Sequence, residues 1–354
     1  MLSFTFASSP NSQVVHYRHK ISKTDQQTIA VYMNHQTDLF GQELHLLYVL
    51  LDSNLPTGGF VSSSGLESFA KHGFLSSSYA YSSGGSASSE NGNRNVMDGL
   101  VQFAKAEVAN YASTTGGFVR DAWILVTDAR AAVNRDMMEI GCNNDALAQR
   151  VDHLLEQLQV LDQYHESTLL SHVGRRSSEP QGVAMLTLFS RGLSKPLGME
   201  VELQDEDHIT RVQAELGKRM VEGYKKLVRL QKAPGHLAVC WGLMCAALGL
   251  SIDRTLHLYL FMHARSLLSS AVRLNLIGPY ASSQLLLHPY RLIIEEEVDR
   301  LQSCTTSILD VQEKDHDEFW AWAENVEKGP ETTWPLGEIL MGRHDLQHSA
   351  IFNS

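Results

Sequence analysis

Apolar residues recur every three or four positions along most of this sequence, which is the spacing of an amphipathic α-helix. Six stretches carry the pattern: Gln42–Leu51, Met97–Val108, Ala122–Ala129, Leu147–Leu170, Ile209–Leu227 and Leu256–Leu274. Clean alternation of β-branched and polar residues, the pattern of a half-buried strand, is absent from the sequence. The sequence therefore predicts an all-α protein, folded as a single multi-helix, bundle-like domain.

Two segments lack this periodicity and set the predicted domain limits. Residues 1–37 are polar and patternless and are predicted to form a flexible N-terminal tail, which leaves 38–354 as the helical domain. Residues 76–95 consist largely of Ser, Gly and Asn, which bury too little apolar surface to offset the entropy of ordering. We predict an insertion loop there, with regular structure resuming near Val96.

Short local signals predict where the first helices begin and end. Pro56 ends the first helix, and Gly58–Gly59 predicts a tight turn after it. Ser64 and Glu67 match a capping box, so a helix is predicted to start with Ser64 as its N-cap. Gly73 is placed to end that helix.

Later in the chain, Pro180 is predicted to kink or end a helix. A helix is also predicted over Gln284–Asp310, with a break near His288–Pro289. The most apolar run, Gly235–Leu250, is shorter than the ~20 residues that a membrane span needs. It is predicted to be a buried core helix over His236–Leu248, and no membrane association is expected.

Charge and cysteine content narrow the class of protein. The chain has 29 basic and 40 acidic residues, a net charge of −11, so nucleic acid is not expected as a partner. The four cysteines form no C-x-x-C pair, which argues against a disulfide scaffold or a zinc ribbon. The N-terminus lacks the apolar core of a secretory signal, so a cytoplasmic location is expected.

The sequence contains none of the common catalytic motifs. A P-loop, a G-x-S-x-G elbow, an H-E-x-x-H pair and a G-x-G-x-x-G turn are all missing. His236 with Cys240, and His344 with His348, have the i, i+4 spacing that could chelate a metal on one helix face. The simpler interpretation is a core histidine beside a cysteine that acts as a small apolar residue. No catalytic residue and no stably bound cofactor is therefore expected.

The segment Leu51–Glu67 (LDSNLPTGGFVSSSGLE), followed by Gly73, resembles the N-terminal signature of UreF-type urease accessory proteins. Three later segments are also similar to that family: Arg175–Ser190, His236–Gly278 and Pro335–Ser354. Together they cover most of Gln42–Ser354 and indicate a eukaryotic, fungal-like member. Ala350 departs from the family pattern, which usually has an arginine there.

The resemblance implies an all-helical, non-enzymatic homodimer. It implies that the protein joins a UreD/UreH-type accessory protein and recruits the nickel-carrying GTPase UreG to apo-urease, with nickel handled by the complex. The residues expected at partner interfaces are Phe60, Ser64, Glu67, Arg176, Gln181, Arg273, His344, Asp345 and Phe352. Arg273 is included because an arginine buried in an apolar helix would require a partner. Loss of Phe352 or of the last five residues is expected to weaken assembly of the complex.

Two other functions stay open at this point. The first is a helical metal-dependent enzyme with a site built from His236 and Cys240 or from His344 and His348. The second is a helical adaptor unrelated to urease, whose deletion would leave urease activity unchanged.

Overall fold

The computed structural model describes residues 43–52, 62–77, 89–139, 144–194, 208–308 and 329–352. Regular structure in these ranges is helical and includes no strand, so the all-α prediction is confirmed. The chain divides into two units, Met1–Leu55 and Pro56–Ser354. The predicted tail over 1–37, the turn at Pro56 and the interface residue Phe60 lie outside the described residues.

The first unit contains helix α1 at residues 43–50. The α-helices of the second unit are α2 (Leu66–Lys71), α3 (Phe74–Ser77), α4 (Ser89–Tyr111), α5 (Gly117–Glu139), α6 (Asn144–Thr168), α7 (His172–Leu188), α8 (His208–Arg229), α9 (Leu237–Ala247), α10 (Ile252–Arg273), α11 (Pro279–Leu287), α12 (Pro289–Leu301) and α13 (Pro335–Gly342). Short π-helical turns follow α4 and α7, at Ala112–Gly116 and Phe189–Leu193, and a 3-10 turn, Arg343–Leu346, follows α13.

Helix α9 is the centre of the second unit. Its residues from Ala238 to Ala247 are all buried, and α5, α6, α7, α8 and α10 pack against it. A helix that is apolar on every face must be surrounded by other elements, so the prediction of a core helix here is confirmed. Within the described residues, no helix is long and apolar enough to cross a membrane.

Two glycines allow neighbouring helices to approach α9 closely. A methyl group added at Gly242 would overlap the carbonyl oxygen of Val119 in α5, and one added at Gly182 in α7 would overlap the carbonyl oxygen of Gly235. Helix α5 therefore contacts α9 backbone to backbone, and α7 contacts in the same way the residues that lead directly into α9, at separations that no larger side chain permits.

The capping-box prediction for α2 is wrong. The N-cap is Gly65, with φ 81°, and no side chain caps the helix. Ser64 also has positive φ, at 49°, so the two residues turn the chain sharply into α2. The Glu67 carboxylate is engaged by another segment and is not used for capping. Gly73, at φ 79°, ends α2 as predicted.

The insertion-loop prediction for 76–95 is wrong at both of its edges. Phe74–Ser77 forms α3, and α4 begins at Ser89 instead of near Val96. Once a helix is nucleated by buried residues such as Leu100, adding polar residues to its start costs little. Composition alone does not detect this extension. Residues 78–88 lie outside the described residues.

Two further helix limits differ from prediction. Helix α7 continues through Pro180. Ser178 and Gly182, on either side of the proline, both contact the start of α9, and this packing offsets the missing hydrogen bond. The break at His288 is confirmed, but α12 ends at Leu301 and not at Asp310. Buried Asp121 accepts hydrogen bonds from the Thr306 backbone N–H at 2.9 Å and hydroxyl at 2.6 Å, which draws the chain away from the helix axis.

Candidate functional site

The segment after the 3-10 turn folds back onto α2, and the contact is made by one buried carboxylate. Glu67 is fully buried and accepts hydrogen bonds from the backbone N–H of Ile351 at 2.8 Å and of Phe352 at 3.2 Å. Lys71, one turn along α2, lies 2.9 Å from the same carboxylate. We call this contact of Glu67 and Lys71 with residues 347–352 the tail clasp.

The hydrogen bonds of the tail clasp determine the ionisation of Glu67. Burial alone would raise the pKa of this carboxyl group, but the Ile351 N–H, Lys71 and the Phe352 N–H outweigh it and leave the pKa below its ordinary value. Glu67 is therefore a carboxylate at neutral pH, which is the form that accepts from both backbone groups.

Lys71 also holds the tail at two further points. Its ammonium group donates to the Gln347 side-chain oxygen at 2.9 Å and to the carbonyl oxygen of Ser349. Ala350, the departure from the family pattern, lies exposed between these contacts and those of Ile351. Its side chain makes none of the anchoring contacts, so an alanine is compatible with the clasp.

Phe352 is the apolar anchor of the tail. It is 4% exposed, and the Arg273 guanidinium lies 4.2 Å from the centre of its ring. The buried His344 side chain lies with Nε2 3.0 Å from the Phe352 carbonyl oxygen. Arg273 is the last residue of α10 and is exposed, so the idea of a charge buried within an apolar helix is corrected. Its aromatic contact is a cation–π interaction.

An exposed ion pair joins α7 to the 3-10 turn. Arg176 and Asp345 form two parallel hydrogen bonds of 2.7 and 3.0 Å, and His172 lies 3.0 Å from the same carboxylate. The hydrogen bond from Arg176, with that from His172, holds the pKa of Asp345 well below its ordinary value. Two parallel hydrogen bonds between a guanidinium and a carboxylate fix the relative orientation of the two side chains, in addition to the attraction of their charges.

The remaining predicted interface residues have local roles. Ser64 is half-buried, and its backbone N–H donates to the Ser62 hydroxyl at 3.2 Å. The Gln181 side chain donates to the Ser177 carbonyl oxygen in its own helix at 2.9 Å.

Six residues predicted from separate parts of the sequence therefore meet around the tail: Glu67, Arg176, Arg273, His344, Asp345 and Phe352. Several of them contact one another, so their first role is to position the tail. Whether they also contact a partner stays a prediction.

Neither of the two residue pairs predicted as possible metal ligands, His344 with His348 and His236 with Cys240, forms a ligand set. The 3-10 turn ends at Leu346 and Gln347 is extended, so His344 and His348 do not share a helix face. Cys240 is fully buried, and burial, followed by the charge of Asp162, raises the pKa of its thiol well above the ordinary value. A protonated thiol is a poor metal ligand.

His236 has different partners from the predicted one. Its Nε2 lies 2.5 Å from a carboxylate oxygen of Glu166 in α6, and Glu179 of α7 is close by. The ligand atoms of these three residues all lie within 4.8 Å of one another. Sequence reasoning missed both glutamates because each is separated from His236 by dozens of residues and only helix packing brings them together.

The described residues define an all-helical protein built around one buried apolar helix, with a C-terminal segment held against its second helix. The chain belongs to the UreF family: the UreF family model matches residues 97–290.

Three relatives agree with this assignment. "Urease accessory protein 6" of Cryptococcus neoformans var. grubii is 64% identical over 316 residues, which are 88% of this chain and 98% of that protein. An "uncharacterized urease accessory protein UreF-like" of Schizosaccharomyces pombe is 29% identical over 56% of this chain and 70% of its own length. "Urease accessory protein F" of Oryza sativa subsp. indica is 29% identical over 54% of this chain and 57% of its own length. The predicted fungal-like UreF membership is confirmed.

Proposed function

We propose that this protein is a non-catalytic scaffold for urease maturation. It would couple a UreG-type, nickel-carrying GTPase and a UreD/UreH-type accessory protein to apo-urease, acting as a cytoplasmic homodimer. The observation that supports this most is the 64% identity to a urease accessory protein across 98% of that protein's length. Identity at this level over nearly a whole chain makes a shared role the simplest expectation.

The surface around the tail clasp is the surface we propose for partner contact. Leu346 and Ile351 are 75% and 62% exposed. Leu346 directly follows the ion-paired Asp345, and the backbone N–H of Ile351 is itself bound to Glu67. Exposed apolar side chains held on a rigid support are typical of protein interfaces. The Arg176–Asp345 ion pair lies on the same segment and adds a charged edge.

The test of the function is complementation. Urease activity is measured in a host that lacks its own UreF-type protein but keeps the other accessory proteins, grown with nickel, with and without this chain. Restored activity supports the proposal. The proposal would be contradicted if the folded chain did not restore urease activity even when its native accessory partners were also supplied. That result would favour an adaptor unrelated to urease.

The proposed surface is tested separately by pull-down with the two accessory partners. Arg176→Ala is expected to reduce capture, because it removes both hydrogen bonds to Asp345 and loosens the tail segment. Arg291→Ala is the matched control, since Arg291 forms a similar exposed ion pair with Glu295 at 2.8 Å, on α12. Equal capture of the two variants would argue against this surface. Phe352→Ala should also reduce capture, by releasing the tail.

A further inference from the structure

The three-residue group of Glu166, Glu179 and His236 has the composition of a cation site. We propose that these residues bind a divalent first-row transition-metal ion, with one imidazole nitrogen and two carboxylate oxygens as ligands. A mixed nitrogen and oxygen set suits borderline ions such as Ni²⁺ and Zn²⁺. The proposal goes beyond the scaffold role and does not depend on it, because it concerns the isolated chain.

The three ligand groups come from three different helices. Glu166 is near the end of α6, Glu179 is in the middle of α7, and His236 is the N-cap of α9. Their ligand atoms lie within 4.8 Å of one another, and the closest pair, His236 Nε2 and Glu166 Oε2, is 2.5 Å apart. Two ligand atoms that bind one metal ion at about 2.0–2.2 Å normally stand about 3 Å apart. The ion would therefore replace the hydrogen bond between His236 and Glu166, and these two side chains would move slightly apart.

Backbone packing fixes the position of Glu179. On one side of it, the Ser178 hydroxyl accepts a hydrogen bond from the Leu237 backbone N–H at 3.1 Å. On the other side, Gly182 lets α7 approach the backbone of Gly235 and His236. Glu179 is thus carried on a part of α7 that is attached to the start of α9, and its carboxylate is kept beside His236.

Asp162 fixes the backbone of His236 but is not itself a ligand. Its two oxygens accept from the Tyr224 hydroxyl at 2.6 Å and from the backbone N–H groups of Gly235 at 2.6 Å and His236 at 3.2 Å. Because Asp162 already accepts three hydrogen bonds, its oxygens have little capacity left to bind an ion. Its role is to hold the backbone of His236 and so to orient the imidazole, as residues around a metal site orient the residues that bind the metal.

Unpartnered buried nitrogens give a second, independent indication of a ligand. His236 is fully buried and its Nδ1 has no hydrogen-bond partner; His165, 1% exposed, has none at either ring nitrogen. The two rings lie edge to face with centres 5.0 Å apart. Buried polar atoms are nearly always satisfied, so the orphaned His165 imidazole, packed against His236, indicates that a further polar species reaches this group of residues.

One positive group competes with a cation. Arg175 lies 3.4 Å from Glu166, and both side chains are partly exposed, so this ion pair is weak. Its guanidinium also donates to the Leu169 carbonyl oxygen at 3.0 Å, at the end of α6. The arginine is held at the edge of the group, and removing its charge should strengthen cation binding.

The test is a calorimetric titration of the tag-free, full-length chain with Ni²⁺ alone and with Zn²⁺ alone. Glu179→Gln is expected to weaken binding at one site per chain by about tenfold or more, since even outer partners of metal ligands contribute ~10–100-fold. Glu166→Gln should do the same, and Arg175→Gln should tighten binding. Glu156→Gln, an exposed glutamate elsewhere on α6, is the matched control and should bind like the parent chain.

Because the two glutamate substitutions alter only this site, they distinguish metal binding here from metal binding by other histidines of the chain. Circular dichroism confirms that each variant is folded, and His236 is left unchanged because it is part of the core. Unaltered affinity and stoichiometry in both glutamate variants would overturn the proposal, even if the chain takes up metal elsewhere. The titration measures metal binding by the isolated chain, whereas complementation measures urease activity. Either outcome of the titration can therefore occur with either outcome of the complementation test.

Discussion

Helix α9 and the tail clasp keep a segment in place by opposite means. In α9, ten consecutive residues from Ala238 to Ala247 are buried, and the neighbouring helices approach at glycines. In the described tail over 347–352, Phe352 is the buried side chain, and the other contacts are hydrogen bonds to Glu67 and Lys71. Apolar burial is distributed over many atoms, whereas the clasp depends on one carboxylate.

This difference separates global from local stability. Loss of packing at α9 affects every helix around it, so the whole second unit should respond. Loss of one acceptor in the clasp should release the tail and leave the helices folded, because segments with few buried contacts open independently.

The largest effect is expected from Gly242→Ala. The added methyl group overlaps the Val119 carbonyl oxygen, so α5 and α9 must move apart, at a cost of about 3 kcal/mol of unfolding free energy. Urea unfolding followed by circular dichroism measures this. Gly342→Ala, where the same methyl group meets nothing within 4 Å, is the control and should leave stability unchanged or slightly raised. Equal stability of the two variants would refute the close packing of α9.

A smaller loss is expected from Asp162→Asn. The amide can accept fewer of the three hydrogen bonds at the start of α9 and its NH2 group opposes one donor, at a cost of about 2 kcal/mol. Tyr224→Phe removes one donor and leaves the carboxylate in place, so about 1 kcal/mol is expected. Chemical denaturation of both variants checks the order, and a larger loss in Tyr224→Phe would contradict it.

The smallest global effect is expected from Glu67→Gln. The amide oxygen can accept from one backbone N–H, but the NH2 group opposes the other, so the change should lower the protection of the Ile351 and Phe352 N–H groups against hydrogen exchange while the unfolding midpoint hardly moves. Glu156→Gln, at an exposed position on α6 of the same unit, is a control that should retain the protection. A large fall in the midpoint would show that the clasp and the core are one cooperative unit.

The same carboxylate makes the clasp sensitive to acid. The pKa of Glu67 is lower in the folded protein than its ordinary value of 4.5, so the stabilisation is complete above that value. It is lost as the pH falls through the lower, folded-state pKa. The protection of the Ile351 and Phe352 N–H groups, expressed relative to their intrinsic exchange rate at the same pH, should therefore begin to fall below pH 4.5 in the parent chain. In Glu67→Gln, which has no titrating group at this position, the protection is already reduced and should not change further over that range.

The periodicity of the sequence was sufficient to predict the all-α fold and the buried helix at α9, because burial on all faces leaves an unbroken apolar run. It did not give the start of α4 at Ser89, since the first turns of that helix carry no apolar stripe. It also could not give the ligand partner of His236, which depends on how α6 and α7 pack.

Residues of the tail show the same limit. The family resemblance identified Glu67, His344 and Phe352 as important, and the structure brings them together. The partners of Glu67, however, are backbone N–H groups, which every residue except proline possesses. No sequence pattern distinguishes the two that are used.

The tail clasp also has a consequence for synthesis on the ribosome. Ile351, which donates to Glu67, follows it by 284 residues, so α2 emerges long before its buried carboxylate can receive these two hydrogen bonds. During translation Lys71 is the remaining partner, and water must solvate the rest of the carboxylate. The nascent chain therefore keeps the α2 surface open until Ile351 and Phe352 have been synthesised, so the clasp can close only late in translation.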